Sequence, residues 1–129
     1  MLLSSLHTGA ALVLLLVLLS LNVSRIRMTR RISLGDGEHK SLRNAVRAHG
    51  NAVEHILPFI ILLWMYETAG GPAASVHALG LTFLVARLLH ATGMLAWQLP
   101  YRIRLRQAGA AATLLCLSAL AVLCLLPKA

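Results

Sequence analysis

Apolar residues gather into four runs along the chain, at 2–23, 52–66, 76–97 and 108–126. Three of these runs come near the roughly 20 residues that a helix needs to cross a bilayer. The second run is short by itself. It gains the length if the polar-studded stretch from Asn44 belongs to the same helix, and we read it so. The pattern therefore predicts four helices, over about 2–32, 37–69, 73–97 and 101–126. The first run differs from a secretory signal: no basic segment precedes it and its apolar stretch is too long. It reads as a retained helix that continues through "SRIRMTRR" at 24–31.

Breaks fall where a bundle needs them. "SLGDG" at 33–37 offers a turn, with Asp36 as the expected N-cap and Glu38 in the first turn of the second helix. "AGGP" at 69–72 ends the second helix, and Pro72 can open the third. "LPYR" at 99–102 separates the third from the fourth. Gly80, Gly93 and Gly109 are positions where helices can approach closely.

Composition turns four apolar helices into membrane helices. The chain has 129 residues, which is one domain by length, spanning 1–129. It is 58% hydrophobic and 12% charged, with mean hydropathy +0.76. A soluble domain of this size cannot hide that much apolar surface. The fold class expected is all-α, an integral membrane four-helix bundle. The net charge of +8 then fits basic loops beside anionic headgroups. It does not point to nucleic acid, because no basic stripe lies outside the hydrophobic spans. Cys116 and Cys124 lie eight apart, about 12 Å along one helix, too far for a disulfide between them. They read as small hydrophobes, and no metal-ligand spacing is present.

Charge also sets an orientation. Arg25, Arg27, Arg30, Arg31, Lys40 and Arg43 cluster between the first and second helices, and Arg102, Arg104 and Arg106 between the third and fourth. The positive-inside rule places these two loops in the cytoplasm and both termini on the opposite, periplasmic side. Trp97 and Tyr101 would then mark the cytoplasmic interface, and Trp64 and Tyr66 the other.

The sharpest feature is the entry to the second helix, "RAHGNAVEHILPF" at 47–59. On a helix, Arg43, Arg47, Asn51, Glu54 and Pro58 fall at roughly 0, 40, 80, 20 and 60°. His55 lies just beside this stripe and His49 points away. Ionisable groups inside a bilayer are costly, face the bundle interior and mark function by default. Interhelical glue is the bland alternative. Against it, two arginines face one glutamate, and surplus positive charge calls for an anion. Pro58 withholds a hydrogen bond from the carbonyl of Glu54 and should kink the helix there. On the third helix, Arg87 and His90 share a face. Arg87 lies deep enough to need a partner, and Glu54 is the candidate by depth.

These residues reach a family. "LGDG", then "SLRNAVRAHGNAVEHILPF", then "RLLHATG" together resemble the MAPEG family, the membrane-associated proteins of eicosanoid and glutathione metabolism, and in particular its small bacterial members. The likeness spans nearly the whole chain. It implies a homotrimer of four-helix bundles that binds glutathione between subunits at the cytoplasmic membrane interface. Matched residue by residue, Arg47, Asn51 and Glu54 take the glutathione-contacting positions, and His90 a ligand-lining one. Arg25 corresponds to an arginine contributed by the neighbouring subunit. Arg102 corresponds to the catalytic arginine that holds the thiolate, with Arg104 as a substitute. The sequence departs from the pattern at Gly50, where arginine is frequent, at Met94, where tyrosine is frequent, and at His55, where tyrosine or threonine is.

The residue types suit that chemistry. Arginines grip the carboxylates of glutathione, Glu54 takes its ammonium and Asn51 an amide. An arginine beside the sulfur favours thiolate over thiol. The implied reaction is attack by the thiolate of glutathione, the co-substrate, on a lipophilic electrophile or a lipid hydroperoxide. Two other readings stay open at this point. One is a non-catalytic member of the family that binds another acidic metabolite, a lipid or a partner. The other is a small proton-coupled exporter built on Glu54, against which the surrounding arginines argue.

Overall fold

The structure, a computed structural model, describes residues 4–126. The expected helix start at 2 lies outside the described residues. Four helices follow one another: α1 (Ser4–Arg30), α2 (Lys40–Thr68), α3 (Ala73–Leu95) and α4 (Arg102–Leu125). No strand occurs among the described residues. Helices α1, α3 and α4 are long and apolar enough to cross a membrane. Helix α2 is long enough at 29 residues, about 43 Å at 1.5 Å per residue. The polar lead-in from Asn44 is part of it, and it runs unbroken through Pro58.

Packing follows from which faces carry small and aromatic side chains. Helices α2 and α3 are central, each touching the other three, while α1 and α4 do not touch each other. Phe59 of α2 and Phe83 of α3 stack face to face, with ring centroids 3.6 Å apart. Leu12, Ile56, Leu63, Val76 and Leu120 close the core around them. Large side chains such as Leu14, Leu18, Leu115 and Val122 point outward and are exposed. In a soluble bundle this would be a fault; in lipid it is the normal outer surface, since acyl chains are as apolar as leucine.

The three glycines do bring backbones together. A Cβ on Gly80 would stand 2.5 Å from Thr8 Oγ1 of α1. Those on Gly93 and Gly109 would stand 2.5 Å from the backbone nitrogens of Arg106 and His90, respectively. Helices α3 and α4 are thus in backbone contact at two successive levels. At the far end Glu67 of α2 accepts from Ser4 N at 2.8 Å, Ser5 N at 2.9 Å and Ser5 Oγ at 2.5 Å. It satisfies first-turn donors of α1 that the helix cannot satisfy itself.

Two local expectations are corrected. Asp36 does not cap α2. The helix begins at Lys40, later than the expected 37, with His39 at the cap position and no side-chain cap bond. Asp36 organises the preceding turn instead: Oδ1 accepts from Glu38 N at 3.0 Å, and Glu38 takes a left-handed backbone with φ 62°. Asp36 Oδ2 accepts from Arg43 Nε at 2.6 Å. That bond reaches back from the first turn of α2, so the turn and the helix are fastened by charge rather than by a cap. Of the two aromatics expected at the interface opposite the basic loops, Trp64 is exposed and Tyr66 packs into the bundle. The Trp97 and Tyr101 pair is exposed at the other end.

Candidate functional site

The polar stripe of α2 does face one place. A cavity of about 710 Å³ is lined by Arg43, Asn44, Arg47, Gly50, Asn51 and Glu54 of α2, by His90 and Met94 of α3, and by Arg106 of α4. Its volume falls within the roughly 300–1,000 Å³ of small-molecule sites. Helical spacing brings the α2 residues to one wall. The α3 residues join because His90 and Met94 are one turn apart. Arg106 joins because Gly93 lets the start of α4 lie against α3.

Charge in the cavity is unbalanced. Arg43 is held by Asp36. Arg47, Arg106 and Glu54 make no hydrogen bond or ion pair among the described residues. Two arginines and one carboxylate are therefore unpaired around one volume. That arrangement suits a ligand with more anionic than cationic groups.

The deep arginine is placed differently from expectation. Arg87 does not pair with Glu54. Its Nη2 donates to Asn51 Oδ1 at 2.9 Å and meets His90 Nδ1 at 3.3 Å, and its Nη1 donates to Thr113 Oγ1 at 3.3 Å. Glu54 is exposed while Arg87 is 1% exposed, so depth along the helix axis does not bring the two together. The shared face of Arg87 and His90 is as the spacing implied.

Of the residues singled out from sequence, Arg47, Asn51, Glu54 and His90 line the cavity. Arg102 and Arg25 do not line it. Arg102 stands one turn before Arg106 on the same face of α4. Arg25 lies near the end of α1, where Nη2 donates to Asn22 Oδ1 at 3.0 Å, and α1 makes no contact with α4. His55 Nδ1 bonds the backbone oxygen of Asn51 at 2.8 Å and, like His49, lies outside the lining. Arg106 was not distinguished from its neighbours by sequence. Its position one turn before the close-packed Gly109 carries a hint, since a buried glycine shows which face of α4 meets α3. Cys116 and Cys124 are both free, Cys116 being buried.

Comparison with known proteins gives the same assignment for the whole bundle. The family model described as "MAPEG family" matches residues 5–126. The chain is also 42% identical over 80 residues to the "Inner membrane protein YecN" of Escherichia coli strain K12, and equally to that of strain O6:H1. The match takes in 62% of this chain and 61% of each relative, so it spans about three-fifths of the curated proteins' length. With the family model covering all four helices, the chain belongs to the MAPEG family.

Proposed function

We propose that this protein is an inner-membrane, glutathione-dependent transferase, a single-domain subunit that acts as a homotrimer. The observation that supports it best is the cavity itself: it is lined by unpaired Arg47 and Arg106 and by a single unpaired Glu54. Glutathione carries two carboxylates and one ammonium, the complement of that charge pattern. Arg47 and Arg106 bind carboxylate, Glu54 the ammonium, and Asn51 and His90 donate to the peptide. Arg25 reaches the site from a neighbouring subunit, in keeping with its place outside the cavity lining of its own protomer. Arg102, one turn earlier at the start of α4, holds the sulfur as thiolate. The thiolate attacks a lipophilic electrophile entering from the lipid, forming a carbon–sulfur bond as the electrophile's leaving group departs or its double bond takes up a proton. With a lipid hydroperoxide, two glutathiones would yield disulfide, alcohol and water. The basic loops support a site on the cytoplasmic side, where glutathione is, with both termini in the periplasm. The inner-membrane location follows the name of the Escherichia coli relatives.

The test is a titration of the purified protein in mild detergent with glutathione, following heat and thiolate ultraviolet absorbance together. Binding with a thiolate signal is expected. Arg102→Ala should remove the signal and keep binding, while Arg106→Ala and Glu54→Ala should weaken binding. A thiolate signal that survives Arg102→Ala and vanishes in Arg106→Ala would move the catalytic role to Arg106.

One observation favours a second reading. Gly50 and Met94 both line the cavity, and a Cβ at Gly50 would meet nothing within 4 Å. The space left there suits a larger or differently shaped acidic ligand in a non-catalytic member. No heat on adding glutathione to the folded trimer would favour it.

A further inference from the structure

Arg87 is the bulkiest of the fully buried side chains. Among the described residues it has no carboxylate partner. Its bonds go to three neutral groups on three helices: Asn51 of α2, His90 of α3 and Thr113 of α4. Its Nε is buried without a partner. A charge so placed contributes little to stability, because bonds to neutral groups offset only part of its desolvation. What it does do is dictate the hydrogen-bonding sense of its neighbours.

A guanidinium has five N–H donors and no acceptor. Every group facing it must accept. Thr113 meets this demand by sending its own proton to the oxygen of Gly109, 2.7 Å away, leaving lone pairs for Arg87. Asn51 meets it by presenting Oδ1, which turns its NH2 group elsewhere. His90 meets it only if Nδ1 carries a lone pair. Its proton then sits on Nε2 and the ring is neutral, since a doubly protonated ring would direct an N–H at the guanidinium.

Asn51 and His90 are both cavity residues, and each is ambivalent alone: an amide or an imidazole can donate or accept. We propose that Arg87 is a positioning residue that removes this ambivalence, fixing Asn51 and His90 as hydrogen-bond donors toward the cavity. With Arg47 and Arg106, the wall they form then offers donors only. It selects carboxylate and carbonyl oxygens and rejects ammonium and hydroxyl donors, which are left to Glu54. The assignment of donors stands on the geometry alone. Its consequence for ligand choice rests on the proposed binding of glutathione.

The experiment is nitrogen NMR of the folded protein in detergent, with histidine labelled and the His90 signal identified by its loss in His90→Gln. The expected state of ligand-free protein at neutral pH is a neutral ring protonated on Nε2. Arg87→Gln should give mixed tautomers at His90, because a glutamine can donate or accept. A proton on Nδ1, or a doubly protonated ring, in the parent protein overturns the proposal. Asn51→Asp gives an independent readout that does not depend on Arg87→Gln folding. It supplies a carboxylate to Arg87, so thermal stability is kept or raised, but it removes the outward NH2. Glutathione affinity should then fall about tenfold or more. An unchanged affinity in Asn51→Asp overturns the assignment of Asn51 as donor. If the parent binds no glutathione, the proposed function fails, and the histidine spectrum still decides the role of Arg87.

Discussion

A methyl group on Gly93 of α3 would stand 2.5 Å from the backbone nitrogen of Arg106 on α4 and 2.6 Å from the carbonyl oxygen of Arg102. Gly109 stands in the reciprocal position against Ala86 and His90. The two contacts set the register of α4 on α3 and thereby bring Arg106 to the cavity. Backbone cannot yield as a flexible side chain would. Gly93→Ala and Gly109→Ala should therefore push α4 outward, lower the melting temperature and weaken binding in the cavity. Gly50→Ala is the control for helix propensity. It has open space, so it should raise stability by up to about 1 kcal/mol. Thermal melts of the three variants side by side check this. Equal stabilisation by all three would mean that the close approach is not maintained.

The Asp36–Arg43 pair should make the turn before α2 sensitive to acid. The hydrogen bond from Arg43, followed by that from the Glu38 backbone, holds the Asp36 carboxyl below its ordinary 3.8. A carboxyl with a depressed folded value contributes stability that is present above its unfolded value. That contribution is lost as pH falls through the folded value. The turn should stay fastened at neutral pH and loosen only in acid, from 3.8 downward. The pair is exposed, so the effect is local rather than global. Hydrogen exchange of residues 33–43, corrected for intrinsic rates, should show the loosening in acid. Asp36→Asn should show it already at neutral pH. Parent-like protection in Asp36→Asn at neutral pH would count against the pair as the fastening.

Glu67 acts at the opposite end of the bundle. Its carboxylate accepts three bonds from Ser4 and Ser5, and Ser4 Oγ also meets His77 Nε2 at 2.8 Å. Three helices meet at this cluster. Glu67→Gln keeps the shape but loses the charge facing the first turn of α1. The cost should be about 1 kcal/mol, as for loss of a good cap. Glu67→Ala should cost more. Faster hydrogen exchange at the start of α1, with the cavity's ligand affinity unchanged, is the expected signature. If exchange there is unaltered, the bonds contribute nothing to holding α1.

The sequence by itself determined the helices and the polar wall. Hydropathy and helical period are local properties, so the four runs, the breaks at 33–37 and 69–72, and the shared face of Arg43, Arg47, Asn51 and Glu54 were all legible. Even the close-packing glycines were, because a small residue on an apolar helix has few other uses. What the sequence could not determine is which groups meet across helices. Glu54 was the apparent partner for Arg87 by depth, yet rotation about the helix axes gives Arg87 to Asn51, His90 and Thr113. The resemblance pointed to Arg102, with Arg104 as a substitute, whereas the register of α4 on α3 brings Arg106 to the cavity. Asp36 had the residue type of a helix cap, and a bond from Arg43 drew it into the turn instead. Glu67 had no sequence signal, because the donors it satisfies lie 62 and 63 residues away. Each of these outcomes depends on the distance between side chains of different helices, and only tertiary packing sets that distance.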